Sequence, residues 1–310
     1  MVKVVESREE YPGLSTIYDS PRALRAFLEQ HGLGMQKKFG QNFLINREVR
    51  RRLVDALELP GNQPLVWEIG PGLGCMTELL LERGCRVRAF EIDRGFVRIL
   101  RDTYGRNENF ELIEGDVLVT WQEAMKQERP AYLLGNLPYN IASLILARMI
   151  EGGLLFKRMV VLVQREMAER MLASVGTEQY SSFSVLCQSL YTIKSLMILK
   201  GPSFYPPPKV ESQGLLLTAR ENIALESYPP LYWGLVRALF ASRRKTIKNN
   251  LEAFMHMSHR GKNMTAETDC SAAAILAEAG LDPSLRAENL SIDQFVNLAM
   301  TLERCYGYSG

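Results

Sequence analysis

Asn136, Leu137, Pro138 and Tyr139 stand in succession after the apolar run Ala131 to Leu134 and before the helical pattern Ile141 to Ile150. An amide, a proline-constrained backbone and an aromatic face together can hold a planar amine. The exocyclic amine of adenine is a poor nucleophile because its lone pair is delocalised into the ring. Acceptors at the Asn136 side-chain oxygen and at the backbone carbonyl of Leu137 or Pro138 would each take one N–H and stabilise the charge that grows on methylation. Leu137 precedes a proline and is biased to an extended conformation, which turns its carbonyl outward. Tyr139 offers a ring for base stacking, worth about 1–3 kcal/mol per base. Alone, the tetrapeptide fits a plain strand-to-helix turn better, since Asn and Pro are common turn residues. Its meaning depends on the elements that position it.

Four apolar runs end in polar groups. Pro64 to Ile69 (PLVWEI) predicts a strand that meets Gly70, Pro71, Gly72, Leu73 and Gly74 before a helix from Met76 to Arg83. A strand, a glycine turn and a helix start place backbone N–H groups beside a ligand that approaches the main chain closely. The strand Val87 to Phe90 runs into Glu91, where an acid ending the second strand of a nucleotide-binding unit accepts ribose hydroxyls. Phe110 to Ile113 leads to Glu114, Gly115 and Asp116, and Ala131 to Leu134 leads to Asn136. In an open parallel sheet such ends line one crevice, so the recurrence argues against an isolated turn. Further strands are expected at Met159 to Val163, at Leu186 to Leu199 with an interruption, and at Gly214 to Thr218, with a helix at Glu166 to Leu172. Between the last two strands, PSFYPPPKV reads as a stiff loop that either presents Phe204 or Tyr205 at a fixed position or simply connects.

Ser20 followed by Pro21 signals a helix with Leu24, Phe27 and Leu28 on one face, so residues 1–35 read as an N-terminal extension with one helix. Lys37 to Asn46 (KKFGQNFLIN) reads as plain surface or as a clamp over a ligand, ahead of a helix from about Arg47 to Leu57. Charged residues and Pro229-Pro230 mark a boundary, giving domains of residues 36–222 and 223–310. The second is expected to be helical, at Leu231 to Phe240, Thr246 to Met257, Ala272 to Ala279 and Ile292 to Leu302.

The net charge of +2 is near neutral, but the cations cluster. Lys37, Lys38, Arg47, Arg50, Arg51 and Arg52 crowd one segment, and Arg237, Arg243, Arg244, Lys245 and Lys248 another that holds no acid from Leu231 to Leu251. Such clusters point to a polyanionic partner, although either alone also fits a solvated helix face. The 5 cysteines form no C-x-x-C pair, and His256 and His259 have no further ligand at metal spacing, so neither a disulfide framework nor a metal site is expected. No run is long and uncharged enough to cross a bilayer, and a start bearing Glu6, Glu9 and Glu10 is not a secretory signal; cytoplasmic residence is the expectation.

The strand, glycine and acid pattern resembles class I S-adenosylmethionine methyltransferases, and Asn136 to Tyr139 is similar to the N-[LI]-P-Y form of those acting on adenine amines. More closely, the chain resembles the KsgA-type family of small-subunit ribosomal RNA adenine dimethyltransferases. That likeness spans Lys37 to Ala299 through KKFGQNFL, EIGPGLG, EID, GD, GNLPYN, PPPKV, RRKTIKNNL and RAENLS, in order.

The resemblance implies an α/β fold with a Rossmann-like sheet, mostly parallel with its last strand antiparallel, and a small all-helical C-terminal domain that binds RNA. It implies that Asn42, Leu44 and Gly70 hold the methionine side of S-adenosylmethionine, Glu91 the ribose hydroxyls and Asp116 the cofactor's adenine amine. Asn136 would touch both the cofactor and the target amine, with Leu137, Pro138 and Tyr139 completing the catalytic set. Phe204 would face Tyr139 across a flipped base, and Glu68 would reach the cofactor ammonium indirectly. The implied substrate is a pair of adjacent adenosines, each dimethylated, in a hairpin loop near the 3′ end of 16S rRNA in an immature small subunit. A monomer would act on it. Departures from the family pattern are Tyr180 to Phe183 (YSSF), Ser242 in FASRRKT, and the longer segment before Lys37. Competing readings are a resistance-type methyltransferase of 23S rRNA, a ribosome-assembly factor without turnover, and an NAD-dependent dehydrogenase. The G-x-G-x-G spacing and the lack of a hydride-transfer partner weigh against the last.

Overall fold

The apolar runs assemble into one sheet. The computed structural model describes residues 14–34, 41–221, 228–259 and 271–306. Glu6, Glu9, Glu10, Lys37, Lys38, Cys270 and residues 222–227 of the expected domain boundary lie outside them. The chain divides into two units, residues 1–168 with 193–219 and residues 169–192 with 220–310.

In the first unit a short strand β1 (Phe43–Leu44) precedes β2 (Leu65–Ile69), β3 (Arg86–Glu91), β4 (Phe110–Glu114), β5 (Tyr132–Asn136) and β6 (Arg158–Gln164). Then follow β7 (Tyr191–Leu199), β8 (Phe204–Tyr205) and β9 (Ser212–Ala219). The seven-stranded order is β4-β3-β2-β5-β6-β9-β7. Strands β4 to β6 are parallel and β9 runs antiparallel to β6. All of β2 is buried, as a central strand covered on both faces must be. Strand order reverses between β2 and β5, and an open α/β sheet holds its ligand at such a switch point.

The helices of this unit are α1 (Leu14–Tyr18), α2 (Pro21–Gln30), α3 (Arg47–Asp55), α4 (Cys75–Glu82), α5 (Arg94–Tyr104), α6 (Val117–Gln127) and α7 (Ala142–Glu151). α8 (Arg165–Leu172) begins in it. Polar groups that end strands also start helices: Asp93 caps α5 through the Gly95 N–H, and Asp116 caps α6 through the Leu118 N–H. The region before residue 35 therefore carries two described helices rather than one. α1 escaped notice because five residues give no period; Leu14 and Tyr18 nonetheless bury fully in the core of this unit.

The second unit contains α9 (Ser182–Leu190), α10 (Tyr232–Leu239), α11 (Ile247–His259), α12 (Ala272–Glu278) and α13 (Ile292–Tyr306). The stretch Leu186 to Leu199, expected as an interrupted strand, is the end of α9 followed by β7. A short apolar run does not distinguish a buried helix from a buried strand. Tyr180 and Val185 pack with Tyr232, Leu235 and Phe295, so residues 169–192 group with the C-terminal helices and a single cut at 222/223 does not describe the units. The YSSF departure has a local role: Ser181 caps α9 in a capping box with Ser184. Arg243 of the RRKT turn meets Glu288 of RAENLS at 3.3 Å, and Asn250 donates to the carbonyls of Leu239 (2.8 Å) and Ser242 (3.1 Å).

Candidate active site

A cleft opens at the carboxyl ends of β2, β3, β4 and β5. Asn42, Leu44, Gly70, Glu91, Asp116, Asn136, Leu137, Pro138 and Tyr139 all line it.

The loop after β2 turns through Gly70, Gly72 and Gly74 at φ +69°, +62° and +90°, a region that only glycine enters without strain. A Cβ on Gly72 would lie 3.2 Å from the Phe43 ring and 3.3 Å from the Tyr18 hydroxyl, so the backbone is bare where the cleft is narrow. Glu91 is bound from both sides: Oε1 accepts the Asp93 N–H at 2.8 Å and Oε2 the Gly72 N–H at 3.2 Å. Burial still pushes its carboxyl up to about 7, against those hydrogen bonds. Asp116 spends Oδ1 on the Leu118 N–H at 2.9 Å and keeps a second oxygen. Glu68 is fully buried, accepts from Thr77 Oγ1 at 2.6 Å, and does not line the cleft. It supports the start of α4 through Thr77.

At the end of β5, Asn136 Nδ2 donates to the Asn42 carbonyl at 2.8 Å, which leaves Oδ1 as the amide's acceptor. The Leu137 N–H donates to the Leu162 carbonyl at 3.1 Å, continuing the ladder past the strand end. The Pro138 carbonyl accepts from Ile141 N (3.1 Å) and Ala142 N (2.9 Å), so the start of α7 consumes it. Of the two backbone carbonyls considered, Leu137's is the one left for a ligand. Tyr139 Oη is hydrogen-bonded to Ser212 Oγ, which fixes the ring at the cleft edge.

Phe204 departs from expectation. Pairing of β1 with β8 sets it opposite Leu44, and at 2% exposure it belongs to the core and does not line the cleft. A facing pair with Tyr139 is therefore not present here. Arg50, counted among the surface cations, is 1% exposed and bonds Asp19 and the Leu44 carbonyl. Several cleft residues were missed, Gln41, Phe43 and Tyr18 among them. Gln41 donates to Asp93 at 3.0 Å and Phe43 walls the glycine loop; both sat inside the quoted KKFGQNFLIN stretch. Tyr18 carried no sequence signal.

These groups fit S-adenosylmethionine. Bare glycine backbone admits close approach, the buried Glu91 carboxylate suits a diol, and Asp116 beside Ile92 and Val117 suits an adenine edge and face.

The model of the ribosomal RNA adenine dimethylase family matches residues 32–299. The small-subunit rRNA methyltransferase A of Treponema denticola is 43% identical over 285 residues, covering 91% of this chain and 94% of that protein. A dimethyladenosine transferase from Plasmodium falciparum superposes with a TM-score of 0.70 at 26% identity, over 84% of this chain and 96% of that one. The 23S rRNA methyltransferase ErmE shares the fold at a TM-score of 0.55 and 23% identity, over 83% and 98%. The chain belongs to the ribosomal RNA adenine dimethylase family and is an enzyme of that activity, with S-adenosylmethionine as its methyl donor.

Proposed function

We propose that this enzyme dimethylates the N6 amines of two adjacent adenosines in the 3′-terminal hairpin loop of 16S rRNA, acting as a cytoplasmic monomer on an immature small subunit. The observation that carries this reading is the Asn136 to Asn42 hydrogen bond, which leaves Asn136 Oδ1 and the Leu137 carbonyl as two acceptors for one amine. Bound S-adenosylmethionine supplies a methyl group on an electrophilic sulfonium. Gly70, Asn42 and Leu44 hold its methionine side, Glu91 its ribose and Asp116 its adenine. Asn136 and Leu137 orient the target amine so that its lone pair points along the line of transfer, which is the main source of acceleration. Tyr139 stacks on the flipped base, whose extrusion is cheapest from a loop. No side-chain base is required, because the amine becomes cationic and acidic on transfer and its proton passes to solvent. The C-terminal helices, with Arg244, Lys245 and Lys248 near the start of α11, supply contacts to the RNA backbone.

Incubation with labelled S-adenosylmethionine and immature small subunits, followed by primer extension on both rRNAs, tests this. Paired dimethyladenosines near the 3′ end of 16S rRNA are expected. Label in 23S rRNA would overturn the assignment, and binding without label would favour an assembly factor.

A further inference from the structure

Residues 14–19 precede every motif used above, yet they build part of the cleft. Tyr18 lines it, and its Oη accepts the Leu73 N–H at 2.9 Å inside the glycine turn. Its ring meets Phe43 edge-on, with centroids 5.8 Å apart. The next residue, Asp19, accepts from Arg50 Nη2 at 2.7 Å. Arg50 Nη1 in turn donates to the Leu44 carbonyl at 2.9 Å, and its guanidinium lies 5.4 Å from the Tyr18 ring centroid. One dipeptide therefore holds both walls: the glycine turn directly, and the 42–44 segment through Arg50. Burial raises the Tyr18 phenol well above its usual range, so the hydroxyl stays neutral.

We propose that Tyr18 and Asp19 are positioning residues for S-adenosylmethionine binding, which makes α1 a wall of the cofactor site; this rests on the reading of the cleft given above. The hydroxyl satisfies a backbone donor between two left-handed glycines, where the chain has the least restraint of its own. Without it the turn loses its fixed distance from Phe43 and from Glu91, to which the Gly72 N–H points. No hydrogen bond joins Tyr18 to the groups at the end of β5, so losing its hydroxyl spares their geometry; Asp19 reaches Asn136 only at a distance, through Arg50 and the 42–44 segment whose Asn42 carbonyl takes the Asn136 amide.

Tyr18→Phe keeps the ring and removes the bond; Asp19→Asn removes the charge that holds Arg50. Each full-length variant is titrated calorimetrically with S-adenosylhomocysteine and assayed on immature small subunits, with Glu91→Ala alongside. For Tyr18→Phe, cofactor Kd and KM are expected to rise about five-fold, the worth of one hydrogen bond, with kcat for the RNA held within about two-fold. Asp19→Asn shifts the same constants in the same direction. Weakened binding in Glu91→Ala with unchanged binding in both N-terminal variants would overturn the role of α1 and leave the cleft reading standing. Unchanged binding in Glu91→Ala would overturn both. A Tyr18→Phe protein that melts lower but binds as before has a merely structural tyrosine, which also overturns the proposal; should it not fold, Asp19→Asn decides.

Discussion

Asn136 Nδ2 lies 2.8 Å from the carbonyl of Asn42, a bond between residues 94 positions apart in the chain. A carboxamide has one donating and one accepting end. Committing the donor to the segment before β1 leaves Oδ1 as the amide's accepting end, and ties the end of β5 to the 42–44 wall of the cleft.

Loss of that amide should separate catalysis from cofactor binding. Asn136→Ala is expected to lower kcat by about 100-fold or more, the usual effect of removing a hydrogen bond formed to developing charge. The Kd for S-adenosylhomocysteine, held also by Glu91, Asp116 and the glycine turn, should rise by only a few-fold. Asn136→Asp should be no better than Ala, since a carboxylate would face the Asn42 carbonyl without a donor. Equal losses in kcat and affinity, measured by single turnover and calorimetry, would contradict the role assigned to Oδ1.

Tyr139 and Phe204 are expected to behave differently under substitution. Tyr139→Ala removes a stacking face and should raise the KM for RNA by about 10-fold, within the 1–3 kcal/mol that such stacking contributes. Tyr139→Phe keeps the ring and loses only the Ser212 bond, so a change of about three-fold or less is expected. Phe204→Leu shrinks a core residue of 2% exposure and should lower thermal stability by about 1 kcal/mol while leaving the RNA KM in place. A rise in RNA KM with Phe204→Leu matching that of Tyr139→Ala would show that Phe204 leaves the core to meet the base.

Much of the site was legible because parallel sheets concentrate chemistry at strand ends. Glu91, Asp116 and Asn136 each follow a short apolar run, and a run of that kind is readable without its neighbours. What stayed hidden depended on contacts between distant segments. Arg50 reads as one of several adjacent cations, and only the fold shows it buried against Asp19. Tyr18 belongs to a helix too short to have a period. Phe204 was read as presented to a base, whereas the register that pairs Leu44 with Phe204 turns it into the core. Leu186 to Leu190 (LCQSL) are too few and too mixed in character to fix either a helical or a strand period.

Two left-handed glycines separate backbone strain from crowding. Gly74 has φ +90°, and a Cβ there would stand 2.6 Å from Tyr104 and 3.1 Å from Leu100. Gly84 has φ +73° with nothing within 4 Å. Gly84→Ala should cost only the left-handed penalty, about 1–2 kcal/mol. Gly74→Ala adds the displacement of a packed ring, about 1–3 kcal/mol more. Urea unfolding of the two variants should show that gap; equal losses would mean that Tyr104 yields freely.

The paired carboxyls give opposite pH trends for binding and for stability. Burial pushes both Glu91 and Glu68 up to about 7, with the Glu91 charge a smaller further cause at Glu68. A ribose diol donates to Glu91 best when the carboxyl is ionised, so cofactor binding should release a proton and tighten about ten-fold from pH 6 to pH 8. In the ligand-free protein each carboxyl holds its proton more firmly when folded than when unfolded. Its stabilising contribution is full below about 4.5 and is lost as pH rises through about 7, roughly 3 kcal/mol per group. Glu68→Gln keeps an acceptor for Thr77 Oγ1 and lacks the charge, so it should flatten the fall in melting temperature across that window. It should leave the pH profile of cofactor affinity intact, because Glu68 lies behind the glycine turn and Glu91 faces the cleft. Calorimetric titrations at pH 6, 7 and 8 and melting curves of both proteins check this. An affinity profile that vanishes in Glu68→Gln would transfer the titration from Glu91 to Glu68.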